Sequence, residues 1–276
     1  MSAPSEREPP MLALDRIAVE WPPAAPGAAS YLAIAEVSLS VRRGEFVSVV
    51  GPTGCGKSTL LNVSAGLLAP TSGAVLVGGE RLSGLNRRAG YLFQSDALMP
   101  WRNARENVEA GLIFAGVERD TARNRAEEWL RRVGLANFAE RYPHELSGGM
   151  RKRVGLAQVL ILEPEILLMD EPFGALDVQT RQLMENELLD LWSAERRSVV
   201  FITHDLEEAI ALSDRIVLLS AGPATRPIGE FTIDLPRPRD VAEIRLTPQF
   251  LELHGRIWRA LRSEVLKAYA VSQRLA

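Results

Sequence analysis

Nine residues, Gly51-Pro-Thr-Gly-Cys-Gly-Lys-Ser-Thr59, constrain this chain more than any other feature. They match G-x-x-x-x-G-K-[ST] and stand between an apolar run, Phe46 to Val50, and a helical stretch that starts at Ser58. That is the strand-loop-helix setting in which such a loop cradles phosphate. Glycines let successive backbone N–H groups curl round an anion, and the helix N-terminus adds partial positive charge. In that setting Lys57 bridges the β- and γ-phosphate oxygens of a nucleotide while the Ser58 hydroxyl holds Mg²⁺. Gly51, Pro52, Thr53, Gly54, Cys55, Gly56 and Thr59 complete the candidate cradle. The competing reading is a glycine-rich turn followed by an ordinary surface lysine.

A phosphate loop needs a sheet behind it. Phe46 to Val50, Ile166 to Met169, Val199 to Thr203 and Ile216 to Leu219 are almost continuously apolar and are separated by helical patterns. Strands apolar on both faces belong to a parallel sheet covered by helices. Tyr31 to Val41 partly alternates instead, and Val75-Leu-Val77 runs into Gly78-Gly79 like a hairpin, so the first third carries antiparallel strands. From about residue 101 to 162 the pattern is helical, with Asp120 expected to cap a helix that Gly134 stops and that buries Ala122, Ala126, Trp129, Leu130 and Val133. The expected fold is α/β of the P-loop class: a mainly parallel core, an N-terminal antiparallel β subdomain and an inserted helical subdomain.

Residues 1–11 read as a disordered leader, Pro22 to Ser30 as a surface loop, and 12–236 as the catalytic domain. Residues 237–276 read as a helical appendage, in which Thr247-Pro248 opens a helix with Phe250, His254, Ile257, Trp258, Leu261 and Val265 on one stripe. The net charge is −3, from 32 basic and 35 acidic residues, which gives no positive field to drive nucleic-acid binding. The one cysteine, Cys55, rules out an intrachain disulfide, and the N-terminus has charges and prolines where a signal peptide needs an apolar core. A reducing cytoplasm is expected. No apolar run approaches the ~20 residues of a membrane-spanning helix, so any membrane association is expected to pass through a protein partner.

Asp170-Glu171 ends the apolar segment that starts at Ile166. Placed there, Asp170 would hold Mg²⁺ and Glu171 would act as general base towards water. His204 follows the Val199 to Thr203 segment directly, within reach of a γ-phosphate at the neighbouring strand end.

Leu146-Ser147-Gly148-Gly149-Met150 resembles the signature sequence of ATP-binding cassette (ABC) ATPases. The order P-loop, Gln94, signature, Asp170-Glu171, Ala175-Leu176-Asp177, His204 is also similar to that of these cassettes. The resemblance implies two copies packed head to tail, with each ATP between one P-loop and Ser147, Gly148 and Gly149 of the other copy. It implies that Gln94 touches Mg²⁺ and relays to a permease, that Asp177 lies at the dimer seam, and that His204 is the switch histidine. Trp21 takes the place of the adenine-stacking aromatic, with Tyr31 as competitor.

Leu98-Met-Pro-Trp-Arg-Asn103, Asp170 to Asp177 and Leu235-Pro-Arg-Pro-Arg-Asp240 resemble, more narrowly, the nitrate/sulfonate/taurine class of bacterial importer ATPases. That class implies ATP hydrolysis coupled to solute import through two transmembrane permease subunits fed by a periplasmic or extracellular solute-binding protein. The chain would then sit on the cytoplasmic face of the inner membrane. Met99-Pro-Trp101 reads either as core or as an apolar patch for a permease helix. The chain departs from the class at Arg151-Lys-Arg153 and Ala157-Gln158-Val159. The basic run reads as a solvated face or as groups shaping the field at the γ-phosphate. Cys55 reads as filler whose thiol the P-loop helix end would activate.

Overall fold

The computed structural model describes residues 8–275, apart from residues 24, 26 and 28. In chain order the elements are β1 (Leu12–Trp21), β2 (Tyr31–Val41), β3 (Phe46–Val50), α1 (Lys57–Ser64), β4 (Ser72–Val77), β5 (Glu80–Arg81) and β6 (Ala89–Leu92). The helical insert follows as α2 (Ala104–Phe114), α3 (Arg119–Arg132) and α4 (Gly148–Leu160). The chain then runs through β7 (Ile166–Asp170), α5 (Val178–Glu195), β8 (Ser198–Thr203), α6 (Leu206–Leu212), β9 (Arg215–Leu219), β10 (Pro227–Thr232), α7 (Val241–Ile244) and α8 (Pro248–Leu275).

Apolar side chains on both faces of β3, β7 and β8 let each strand join two cores. Phe46, Leu167, Met169, Val199 and Phe201 point into one, packed under the helices. Val47, Val49, Ile166, Leu168, Val200 and Ile202 point into the other, with α1 and the antiparallel strands. This is the period-two alternation of a sheet covered on both sides. The six-stranded sheet has the order β10-β9-β3-β8-β7-β6, parallel except for β10, which runs antiparallel to β9. A second, antiparallel sheet has the order β2-β1-β4-β5. The α/β P-loop architecture, with a β subdomain and a helical insert, is as the apolar pattern predicts.

Two local expectations are revised. Residues 1–7 of the expected leader lie outside the described residues, but Met11 is fully buried and its carbonyl accepts from Gly78 N at 2.9 Å. Glu118, rather than Asp120, caps α3: its carboxylate accepts from Asp120 N at 3.0 Å and Thr121 N at 2.9 Å, which leaves Asp120 in the first turn. A carboxylate that reaches two free amides and faces the helix dipole performs the same job one residue pair earlier. Gly134 does end the helix, with φ 71°.

Leu235-Pro-Arg-Pro-Arg-Asp240 proves to be a clamp. The buried Arg239 guanidinium donates to Ala211 O (3.1 Å) and Ser213 O (2.8 Å) at the end of α6 and to Leu235 O (3.0 Å) in the segment after β10, and so satisfies carbonyls of both. Arg237 donates to Asp214 Oδ1 at 2.8 Å and lies 4.2 Å from the Trp192 ring centroid. Burial lowers the Arg239 pKa to about 10, yet leaves it charged at neutral pH. Arg239→Met should strand those carbonyls and cost roughly 2–3 kcal/mol, read as a lower urea midpoint with unchanged slope; an unchanged midpoint would remove the clamp from the account.

Candidate active site

The carboxyl ends of β3, β8, β7 and β6 lie side by side, because Val50 pairs with Thr203, Asp170 with Ile202 and Leu92 with Met169. Parallel sheets open their ligand crevice at such ends. Each strand delivers one candidate group within a residue or two of its end: the loop starting at Gly51, His204, Asp170-Glu171, and Gln94.

The loop after β3 turns through left-handed Gly54 (φ 77°) and Gly56 (φ 95°), a region that residues with a side chain enter at a cost. Gly56 is the N-cap of α1 and contributes no side chain, so the first amides of α1 are free to bind an anion. Lys57 is 5% exposed; its Nζ donates to Gly51 O at 2.9 Å and Pro52 O at 3.1 Å and lies 3.7 Å from Glu171 Oε1. Ser58 Oγ donates to Asp170 Oδ1 at 3.0 Å. Burial pushes the Asp170 carboxyl above its usual range, with the neighbouring Glu171 adding to the rise and the Ser58 hydroxyl opposing it. A hydroxyl beside a buried, poorly compensated carboxylate is an all-oxygen donor pair of the kind that holds Mg²⁺ together with phosphate oxygens and water.

Glu171 is the meeting point. His204 Nδ1 lies 2.9 Å from Glu171 Oε2, and Gln94 Nε2 donates to the same oxygen at 3.4 Å. Its backbone has φ 42°, strained for a non-glycine residue, and is held by a 3.0 Å hydrogen bond from Glu171 N to Ile202 O. Such strain costs of order 1–3 kcal/mol and persists where the surroundings over-determine it.

The signature segment lies at a different place. Ser147 caps α4, accepting from Met150 N at 3.3 Å, and Asp177 caps α5, accepting from Thr180 N at 3.0 Å. Hydrogen bonds from Thr180 hold the Asp177 carboxyl below its ordinary range. The two caps abut: a Cβ on Gly149 would fall 2.7 Å from Thr180 Cγ2, and one on Gly148 3.6 Å from Leu176 Cδ2. Among the described residues, no hydrogen bond or ion pair joins Ser147, Gly148 or Gly149 to the P-loop, Asp170, Glu171 or His204. Trp21 and Tyr31 are cross-strand partners at the ends of β1 and β2, 41% and 49% exposed. They stand on the edge whose Ile34 lies close to Gly56.

Two readings of single residues change. Cys55 is 1% exposed, and burial pushes its thiol pKa up despite the favourable pull of Lys57. Desolvation outweighs the helix end, so the expected activated thiol is absent and Cys55 contributes backbone and bulk. The basic run is not a solvated face: Lys152 is 6% exposed and donates to Gln94 O at 2.7 Å, and it pairs with Asp96 at 3.0 Å. Arg151 meets the other Asp96 oxygen at 2.8 Å. Burial works to raise the Asp96 pKa, but these two cations hold it below the usual range. Lys152, Arg151 and Asp96 therefore tie the signature helix to the segment carrying Gln94, a link that a run of three basic residues does not announce.

Beside that link, a groove of about 330 Å³ opens between the Gln94 segment and the helical insert, walled by Phe93, Leu98, Met99, Phe114 and Leu162. Trp101 next to it is 72% exposed, so Met99-Pro-Trp101 forms surface and not core. Below the site, Glu208 of α6 is 4% exposed; burial drives its pKa up to about 8, with Glu185 and Asp205 adding to the rise and the Thr203 hydroxyl and Arg181 opposing it.

Residues 34–174 match the family model described as ABC transporter. The taurine import ATP-binding protein TauB of Burkholderia pseudomallei is 46% identical over 226 residues, covering 80% of this chain and 86% of the relative. The nitrate import ATP-binding protein NrtD of Synechocystis is 43% identical over 238 residues, covering 84% and 89%. The dimeric post-hydrolysis structure of the ATP-binding cassette MJ0796 bound to ADP and Pi superposes with a TM-score of 0.71 at 33% identity, covering 82% of this chain and all of that one.

Two outcomes follow from the local chemistry. Lys152→Met should speed amide exchange at residues 94–97 at least about threefold while leaving the P-loop amides unchanged; equal exchange would show that the Gln94 segment is held elsewhere. For Glu208, a folded-state pKa of about 8 against an unfolded value of ~4.3 means that the native state is penalised as pH rises between the two and fully so above the higher. Glu208→Gln escapes this penalty. Its gain in melting temperature over the parent should grow from pH 5 to pH 8 and then level off, and a pH-independent difference would contradict the assignment.

Proposed function

The chain belongs to the ABC transporter family of ATP-binding cassettes and is an ABC-type ATPase; from that premise we propose that it powers the import of a small nitrate-, sulfonate- or taurine-like solute. Residues 12–236 are taken as the catalytic cassette and 237–276 as its appendage. The observation that carries the reading is the convergence of Lys57, Gln94 and His204 on Glu171 at the end of β7.

In this proposal Lys57 turns from the Gly51 and Pro52 carbonyls to the β- and γ-phosphate oxygens of ATP, and the amides of residues 51–59 line the phosphates. Trp21, with Tyr31 as the alternative, stacks on the adenine. Glu171 takes a proton from water as the water oxygen bonds to the γ-phosphorus and the bridging P–O bond to ADP breaks. His204 fixes the Glu171 carboxylate and reaches the leaving phosphate. Ser58 and Asp170 would hold Mg²⁺ with Gln94 beside it, which supplies charge neutralisation on the phosphate oxygens. Catalysis of this kind is mostly positioning and electrostatics.

Half of the machinery is not joined to this centre by any hydrogen bond or ion pair among the described residues. The Ser147 cap and the Gly148 and Gly149 amides carry the same anion-binding chemistry as a P-loop but, among the described residues, make no hydrogen bond or ion pair to it, which supports a site completed by a second copy in a head-to-tail homodimer with Asp177 at the seam. The MJ0796 cassette is itself dimeric. The groove walled by Leu98, Met99 and Phe114, with Trp101 at its edge, supports docking of a permease helix onto the segment that carries Gln94. Two permease subunits would then meet the two copies, with a solute-binding protein on the far side. Among the described residues, no helix is long and apolar enough to cross a membrane, which fits attachment to the cytoplasmic face through those subunits.

Glu171→Gln should lower kcat for ATP by a factor of about 10²–10⁴, the usual worth of a general base, with ATP affinity within about twofold of the parent. A kcat within threefold of the parent would move the base elsewhere.

A further inference from the structure

The helix α8 lies beyond the six-stranded sheet, and only part of its apolar surface holds it in place. Phe250, Ile257 and Leu261 are buried in the core shared with the helices, and Arg256 sits 5.8 Å over the Phe231 ring of β10. Glu264, 7% exposed, accepts from Ala221 N at 2.9 Å. The loop beginning there passes under the P-loop, close enough that a Cβ on Gly222 would lie 3.4 Å from Gly54 O.

The flank turned towards the nucleotide crevice is unlike this packed face. Across an open cleft of about 850 Å³, His254, Trp258 and Tyr269 face Thr53 of the P-loop and His204 and Glu207 of the turn after β8. Trp258 is 41% exposed, Leu251 61% and Tyr269 62%. At about 100° per residue, positions 251, 258, 265 and 269 fall within about 40° of one another, so these apolar groups form a single strip along the helix.

We propose that this strip is a second contact surface between two copies of the chain: when they close over ATP, the Trp258–Tyr269 flank of α8 packs against the partner copy and extends the nucleotide seam. The inference rests on the head-to-tail homodimer proposed above. Continuity selects a second copy as the occupant, because the opposite wall of the cleft is the P-loop and the His204 turn, the groups that the homodimer covers. Composition agrees with it: Trp and Tyr are enriched at interface centres, and Trp258 and Tyr269 are flanked along the helix by Arg259 and Arg262, as in a polar rim. The anchoring gives the contact a consequence. Since α8 packs on α6, which starts two residues after His204, and is tied through Glu264 to the loop under the P-loop, a copy seated on the strip bears on both ends of the nucleotide site.

The test uses the full chain carrying Glu171→Gln, with and without Trp258→Asp and Tyr269→Asp together, in sedimentation with Mg-ATP and with Mg-ADP. The expected result is an ATP-dependent dimer in the Glu171→Gln chain whose dissociation constant rises at least tenfold in the triple variant, while the ATP affinity of the monomer stays within twofold. A p-benzoylphenylalanine placed at position 269 of the Glu171→Gln chain should cross-link two copies with Mg-ATP and not with Mg-ADP; this keeps the test decisive if the paired aspartates unfold α8. An ATP dimer of undiminished strength, or a dimer that gives no cross-link, overturns the inference and leaves the homodimer standing, with the strip assigned to a small ligand or another protein. A Glu171→Gln chain that stays monomeric with Mg-ATP overturns both.

Discussion

The in-register parallel pairing of β3, β8, β7 and β6 is the constraint on which the rest depends. Those ladders bring four strand ends to one level, and each end releases a group that none could place alone: the P-loop, His204, Asp170-Glu171 and Gln94. The pairing in turn depends on apolar side chains alternating into two cores, Phe201 to one side and Val200 and Ile202 to the other. A slip of one residue in β7 would exchange these faces and carry Glu171 away from His204 and Lys57. Burial thus sets the catalytic geometry.

Around the strand ends, charge is arranged so that almost every buried ion has a partner. Lys57 shares two carbonyls and Glu171; Asp96 joins Arg151 and Lys152; Arg239 caps the carbonyls at the end of α6. Glu208 and Asp170 are the exceptions, since burial raises both carboxyls; at Asp170, on the strand end, the Ser58 hydroxyl, the nearby Lys57 and Tyr91 offset the rise in part. Unbalanced charge at that point is what a cation-binding carboxylate needs before its ligand arrives.

Much of this was legible from the chain alone, because the strongest signals in it are physical and local. The bounds of β3, β7, β8 and β9 follow within a residue from runs that are apolar on both faces, and the helical insert follows from the 3.6-residue periodicity of α3. The phosphate loop is readable because glycine enters the left-handed φ of Gly54 and Gly56 without the cost that a side chain brings. What escaped depends on long-range burial. Lys152 looks like part of a solvated basic run until Asp96 and Gln94 O, more than fifty residues away, enclose it. Cys55 looks activated by a helix end until desolvation is counted. Glu118 outcompetes Asp120 as a cap through side-chain reach, and Arg237 and Arg239 are legible only as part of a family resemblance until α6 and Trp192 pack against them. The separation of Ser147 and Gly148 from the P-loop was legible only through the resemblance to ABC cassettes, because no local pattern of residues announces that these groups would be completed by a second copy.

That separation makes a two-copy nucleotide site the central claim, and complementation tests it most directly. Lys57→Met removes the P-loop cation and Ser147→Arg blocks the signature, so each chain alone should have almost no ATPase activity. Mixed, they should regain activity far above the sum of the two, because a head-to-tail pair of unlike copies contains one site with both elements intact. Activity in the mixture no greater than that sum would contradict the shared site and return the whole reaction to a single chain.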